Sequence, residues 1–179
     1  DRRRIPGSPM TCREDLLGAA QLAVQQYSSF EHETLAVRGE RSVLVSSRWS
    51  DAAGNESKHL HVFELDSDGL IGYEGRFDED DFGNAYRELE WRYYAGEGAE
   101  FAECGLINNE YIMAVNRGDF DTVFNELTST DFRFENHARS VFGAPSAEEL
   151  RTHFEDLDAT LASVRSWFSA LHWVSPTMC

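Results

Sequence analysis

Between residues 30 and 77 the chain reads as strand-length runs divided by turns, and that alternation limits the possible folds more than any other feature. The runs cover 30–37, 42–49, 58–65 and 70–77, each rich in β-branched or aromatic residues. Arg38-Gly39-Glu40 joins the first pair, and Asp66-Ser67-Asp68-Gly69 supplies a hairpin turn for the last. The stretch 50–57, with Gly54-Asn55, is a longer loop. Ahead of these runs, Leu16, Leu17, Ala20 and Val24 recur at helical spacing across 13–26. One helix and an antiparallel set of strands make an α+β layer.

The second half alternates differently. Phe82, Tyr86, Leu89 and Tyr93 form an apolar stripe behind Asp78-Glu79-Asp80-Asp81, where Asp78 is the expected N-cap. Gly96 and Gly98 end that helix and mark an internal boundary. A second helix is expected over 101–116 and another behind Asp119, with Phe120, Val123, Phe124 and Leu127 on one side. Ser146-Ala147-Glu148-Glu149 is a capping box for a further helix carrying Leu150, Phe154, Leu157 and Leu161. Alternation over 131–137 and over 164–174 predicts two more strands. Phe132 and Phe134 would then face the helices, and Trp167 and Trp173 would lie at one end of the sheet.

Composition narrows the function. Acidic residues outnumber basic ones 32 to 16, for a net charge of −16, which repels nucleic-acid phosphates and anionic membranes. A hydrophobic content of 41% suits a packed core and argues against disorder. No apolar run reaches the roughly 18 residues of a membrane span, so a cytoplasmic protein with no nucleic-acid or membrane partner is expected. Cys12, Cys104 and Cys179 are too scattered for a disulfide framework or a zinc knuckle and read as reduced thiols. Residues 1–12 read as a loose arm.

Several segments resemble the nuclear transport factor 2-like superfamily, of the SnoaL-like type. In the second half they are 115–127, 131–137 and 146–150, which look like the family's helix pair, first long strand and following helix. In the first half, 35–45, 63–71 and 76–78 look like its central and last hairpins. The resemblance implies a cystatin-like roll, a cone-shaped curved antiparallel sheet packed against helices, with a pocket at its mouth. The wording of 75–98 and 163–176 also resembles tandem domains that follow cyclase or regulator modules in actinobacterial signalling proteins. Glu14-Asp15-Leu16 before a strand at Phe30 mirrors Glu148-Glu149-Leu150 before a strand at Val164 at the same offset. The chain therefore reads as a piece of a tandem, with 13–98 closing one unit and 101–179 opening the next. These pieces would combine into one permuted or swapped domain by pairing 131–137 with 70–77, within a chain or across a homodimer.

Catalytic relatives place acids, bases and tyrosines on strands facing the pocket. An epoxide-hydrolase arrangement matches Arg48 and Asp78, but Ser50 stands where a second carboxylate is needed to work with the first. A cyclase or ketosteroid-isomerase arrangement needs one base and one donor for an enolate oxygen. His137, with Glu135 and Arg133 on the same strand face, could be that base, and Tyr73 or Trp173 the donor. His59 and His61 have the spacing of half a metal site with no third ligand, and read as an exposed pair. No phosphate loop or nucleophile elbow is present in the sequence, and no cofactor or metal is expected. The incomplete polar set favours a non-catalytic ligand-sensing or dimerisation module that takes a small apolar ligand. The alternative is a small SnoaL-like enzyme acting on an apolar ketone.

Overall fold

The computed structural model describes residues 12–135, 137, 145–161, 165–173 and 175. Helix α1 (Arg13–Gln26) leads into four strands: β1 (Ser29–Arg38), β2 (Ser42–Ser50), β3 (Glu56–Leu65) and β4 (Ile71–Asp78). They form one antiparallel meander in the order β1-β2-β3-β4, each strand paired with its chain neighbour. Then follow α2 (Phe82–Ala95), α3 (Ala102–Arg117) and α4 (Ala147–Thr160). The fold is α+β, an antiparallel sheet with helices, as the alternating runs and stripes imply. No helix among the described residues is long and apolar enough to cross a membrane.

Helix α2 packs on the sheet because its stripe matches the strand alternation opposite. Phe82, Ala85, Tyr86 and Leu89 are buried against Ala36, Leu44, Leu60 and Val62. Ile112 and Met113 of α3 close the same cluster, so residues from 13–98 and from 101–179 share one core. Burying a large apolar side chain is worth roughly 1.5–3 kcal/mol, which makes this cluster the main source of stability. The approach of α3 to α2 depends on Gly105, since a Cβ there would run into the Tyr94 ring. Gly118 ends α3 in the left-handed conformation at φ 68°, with its N–H returned to the helix.

Several local expectations change. Asp78 is not the α2 cap: the chain makes one more turn, in which Asp81 N–H donates to the Asp78 carbonyl, and the helix starts behind Asp81. The stretch behind Asp119 coils as a π-turn over Thr122–Glu126, with the Asp119 carboxylate accepting from Thr122 N–H and Oγ1–H. The capping box at α4 is complete, with Ser146 Oγ accepting from Glu149 N–H and the Glu149 carboxylate accepting from Ser146 N–H.

Residues 131–135 form no strand, and within the chain nothing from 131–135 or 137 pairs with β4, which is an edge of the sheet. The segment leaves a turn in which Phe132 N–H donates to the Ser129 carbonyl, and Phe132 and Phe134 stay exposed instead of facing the helices. Alternation needs an edge to dock on, and this turn directs the segment to none. Residues 165–173 are likewise not a strand. They lie beside β1 but share only one backbone bond with it, from Val37 N–H to the Ser169 carbonyl. A bulge between Thr34 and Ala36 puts that edge out of step for a longer ladder.

Candidate functional site

The residues that could carry chemistry fall in three places. The first is an open cleft of about 730 Å³. Its floor is Leu35 and Leu60 of the sheet with Met113 of α3, and its wall is Phe82 and Trp167, whose rings stand 5.4 Å apart. The start of α2 and the end of α3 rim it with Asp81, Asn84, Arg87 and Arg117. Arg165 completes the rim, its guanidinium 4.7 Å from the Phe82 ring centre.

The segment that supplies Arg165 and Trp167 is held by polar bonds. Asn116 on α3 exchanges two with Ser166: Ser166 N–H donates to Oδ1 at 2.7 Å, and Nδ2–H donates to the Ser166 carbonyl at 2.8 Å. Trp167 Nε1–H donates to the Leu35 carbonyl at 2.9 Å, using the carbonyl beside the bulge. Its indole is therefore a wall with a fixed orientation rather than a free side chain.

The second place is a buried ionic cluster behind the cleft. Arg38, Glu90 and Tyr86 are each almost fully buried. Arg38 Nε–H donates to Glu90 Oε1 at 2.8 Å, and Nη2–H donates to the Tyr86 hydroxyl, to the Phe168 carbonyl and, at very short range, to the same Glu90 oxygen. Burial works against the Arg38 charge, but the Glu90 bond outweighs it and holds the guanidinium above its ordinary range. Burial, reinforced by the Glu90 charge, pushes the Tyr86 and Tyr94 hydroxyls well up, so both stay protonated. Glu90 Oε2 and the Tyr94 hydroxyl are buried without a partner. Phe101, Tyr94 and Trp173 close over this end, with the Phe101 and Trp173 rings stacked 5.0 Å apart.

The third place is the sheet face turned away from α2. Trp49, His61 and Phe63 lie in a row there, His61 stacked on Phe63 at 5.6 Å and on Trp49 at 6.1 Å. The expected exposed histidine pair is corrected: the His61 side chain is only 3% exposed, because its aromatic neighbours lie flat over it. Glu74 Oε1 sits 3.0 Å from His61 Nδ1. An ionised carboxylate can only accept, so Nδ1–H donates; Nε2 is buried without a partner. The His61 bond holds the Glu74 carboxyl below the usual range. Burial, then the Arg76 and His61 charges, hold the His59 imidazole below its own. Among the described residues no three His, Cys, Asp or Glu gather as a metal site.

The structure separates the catalytic candidates. His137 and Glu135 are 3.4 Å apart on the irregular segment, their side chains 84% and 71% exposed, with no apolar pocket around them. Arg133 is exposed beside them. Arg48 is paired to Glu31 and Glu56. Its cross-strand partner is Lys58, whereas Asp78 is opposite His59, which puts Arg48 and Asp78 on opposite faces. Tyr73 lies under the Arg92 guanidinium, 3.1 Å from its ring centre. Trp173 Nε1 is buried without a partner, so it aims at no open site. Cys12 and Cys104 are free thiols; Cys179 lies outside the described residues. Arg87, Arg165 and the Arg38–Glu90 pair had no sequence signal, since each acquires its meaning only when distant segments meet. Comparison with protein-family models, with curated proteins and with solved structures finds no match to this chain.

Proposed function

We propose that this chain is a non-catalytic ligand-sensing module whose small ligand enters the cleft between the sheet, α2 and residues 165–167. We also read its layering as the cystatin-like roll of the nuclear transport factor 2-like kind, with the cleft in the place of the roll's mouth. The observation that carries the functional reading is the cleft itself, about 730 Å³ with an apolar floor. That volume lies within the usual range for small-molecule sites. The acid–base candidates His137, Glu135 and Tyr73 do not line it: His137 and Glu135 sit on the irregular segment, and Tyr73 is packed against Arg92.

Sensing follows from how one wall is attached. A ligand against Phe82 touches Trp167 and Arg165, which belong to the segment pinned by Asn116, the Leu35 carbonyl and Arg38. Occupancy is thereby coupled to the seating of that segment on β1. A thermal-unfolding screen of small apolar compounds tests the reading. A binder at about 100 times its Kd raises stability by roughly 2.7 kcal/mol. Ser46→Phe, which fills the cleft from β2, should abolish the shift while the unliganded variant still folds. A shift that survives Ser46→Phe, or a library with no binder, counts against the reading.

A further inference from the structure

We propose that the ligand of this cleft is an amphipathic organic anion, with its apolar body on Phe82, Trp167 and Met113 and its charged head on Arg87 and Arg165; this rests on the ligand-sensing reading above. The cleft is lined by three carboxylates, Glu79, Asp80 and Asp81, and three guanidiniums, Arg87, Arg117 and Arg165. That even balance stands out in a chain of net charge −16.

The two sets differ in how far they are already occupied. Glu79 faces Lys58 at 3.5 Å, Asp81 accepts from Asn84 Nδ2–H at 2.7 Å, and Asp80 is engaged as well. Arg117 is paired with Glu110 at 2.7 Å and Asp119 at 3.8 Å. Arg87 and Arg165 have no carboxylate partner among the described residues. Arg87 and Arg165 are thus the rim guanidiniums with no carboxylate bonded to them, and they sit above an apolar floor.

Position supports the same assignment. Arg165 is held over the Phe82 face, which keeps its guanidinium beside the aromatic wall. A planar guanidinium so placed offers paired N–H donors to a carboxylate or sulfonate. Arg165 also faces Glu79 and Asp80 across a groove that continues the cleft. Those acids disfavour multiply charged anions, and the apolar floor gives a bare inorganic ion nothing to bury. A single charge on an apolar body fits both constraints.

Two fluorescent probes of similar size test this. One is 8-anilinonaphthalene-1-sulfonate, which is anionic; the other is N-phenyl-1-naphthylamine, which is neutral. The wild-type chain should bind both, each losing affinity in Ser46→Phe. Arg87→Gln with Arg165→Gln should weaken the sulfonate by roughly tenfold or more and leave the neutral probe within about twofold. Both arginines are exposed, and an unchanged melting curve verifies that the fold is intact. Raising the salt should weaken only the sulfonate, and millimolar inorganic phosphate should not displace it. If neither probe binds, or Ser46→Phe weakens neither, the ligand-sensing reading fails. If both bind in the cleft but the double variant affects them equally, or phosphate displaces the sulfonate, the cleft remains and the anion assignment is overturned.

Discussion

Under α2, Ala36, Leu44, Leu60 and Val62 are buried by a helix, whereas on the other side of the same sheet Trp49, His59, His61 and Phe63 cover one another. Both faces come from the same strands, one residue out of phase. The helix side is apolar in its middle and admits a fully buried ionic cluster at its edge, where Arg38, Glu90 and Tyr86 lie under residues 168–169. The open side uses rings and imidazoles, and one nitrogen of each histidine finds a partner along the strands: Ser47 with His32, Ser57 with His59, Glu74 with His61. The comparison teaches that burial here does not require a second layer. Flat side chains on a meander can bury an imidazole as fully as a helix buries a leucine.

The largest expected effect lies on the helix side. Glu90→Ala leaves the Arg38 charge buried and unpaired, which should cost about 3–5 kcal/mol in urea denaturation. Replacing both partners by apolar residues of similar size should recover much of that loss. A cost below about 1 kcal/mol for Glu90→Ala would mean that water reaches the cluster and that the two sides differ less than their burial indicates.

On the open side the expected effect is smaller and depends on pH. The Glu74 carboxyl is held below its ordinary range, mainly by the His61 bond. Its contribution is therefore fully present above the usual glutamate pKa and is lost as pH falls through the lowered value. Glu74→Gln should cost roughly 0.5–1.5 kcal/mol near neutrality. Its stability should also fall less steeply than wild type between about pH 5 and pH 3. Parallel pH profiles for the two proteins would show that the bond does not discriminate the ionised carboxyl.

The smallest effect belongs to neither face. His137, 84% exposed beside Glu135, should tolerate Ala within about 0.5 kcal/mol. A larger loss by thermal unfolding would assign residues near 137 a packing role comparable to the sheet faces.

Elements in both halves were legible where their signals are local. The turn at Asp66–Gly69, the stripe from Phe82 to Tyr93 and the Ser146–Glu149 box each carry their own hydrogen bonds or periodicity. Residues 131–135 and 165–173 share the strand pattern, but a turn at Ser129–Phe132 leads the first away from the β4 edge and the β1 bulge puts the second out of step, and alternation contains no information about either. His61 shows the same limit, since its burial depends on Trp49 and Phe63 lying flat above it. The cleft was least legible of all. Arg87, Asn116 and Arg165 look like ordinary surface residues until α2, α3 and the far segment converge.

The Arg38–Phe168 bond joins residues 130 positions apart. During synthesis, β1 through α2 can assemble once those strands and the helix have left the ribosome, bringing Arg38 to Glu90. The cover over that pair does not yet exist, and for the time needed to make about 80 more residues, several seconds at typical elongation rates, the ion pair faces water. At that stage it behaves as an exposed pair, worth little and open to exchange. The arrival of Phe168, whose carbonyl accepts from Arg38, completes its cover. A stretch made long after them thus closes a contact whose other partners are already in place.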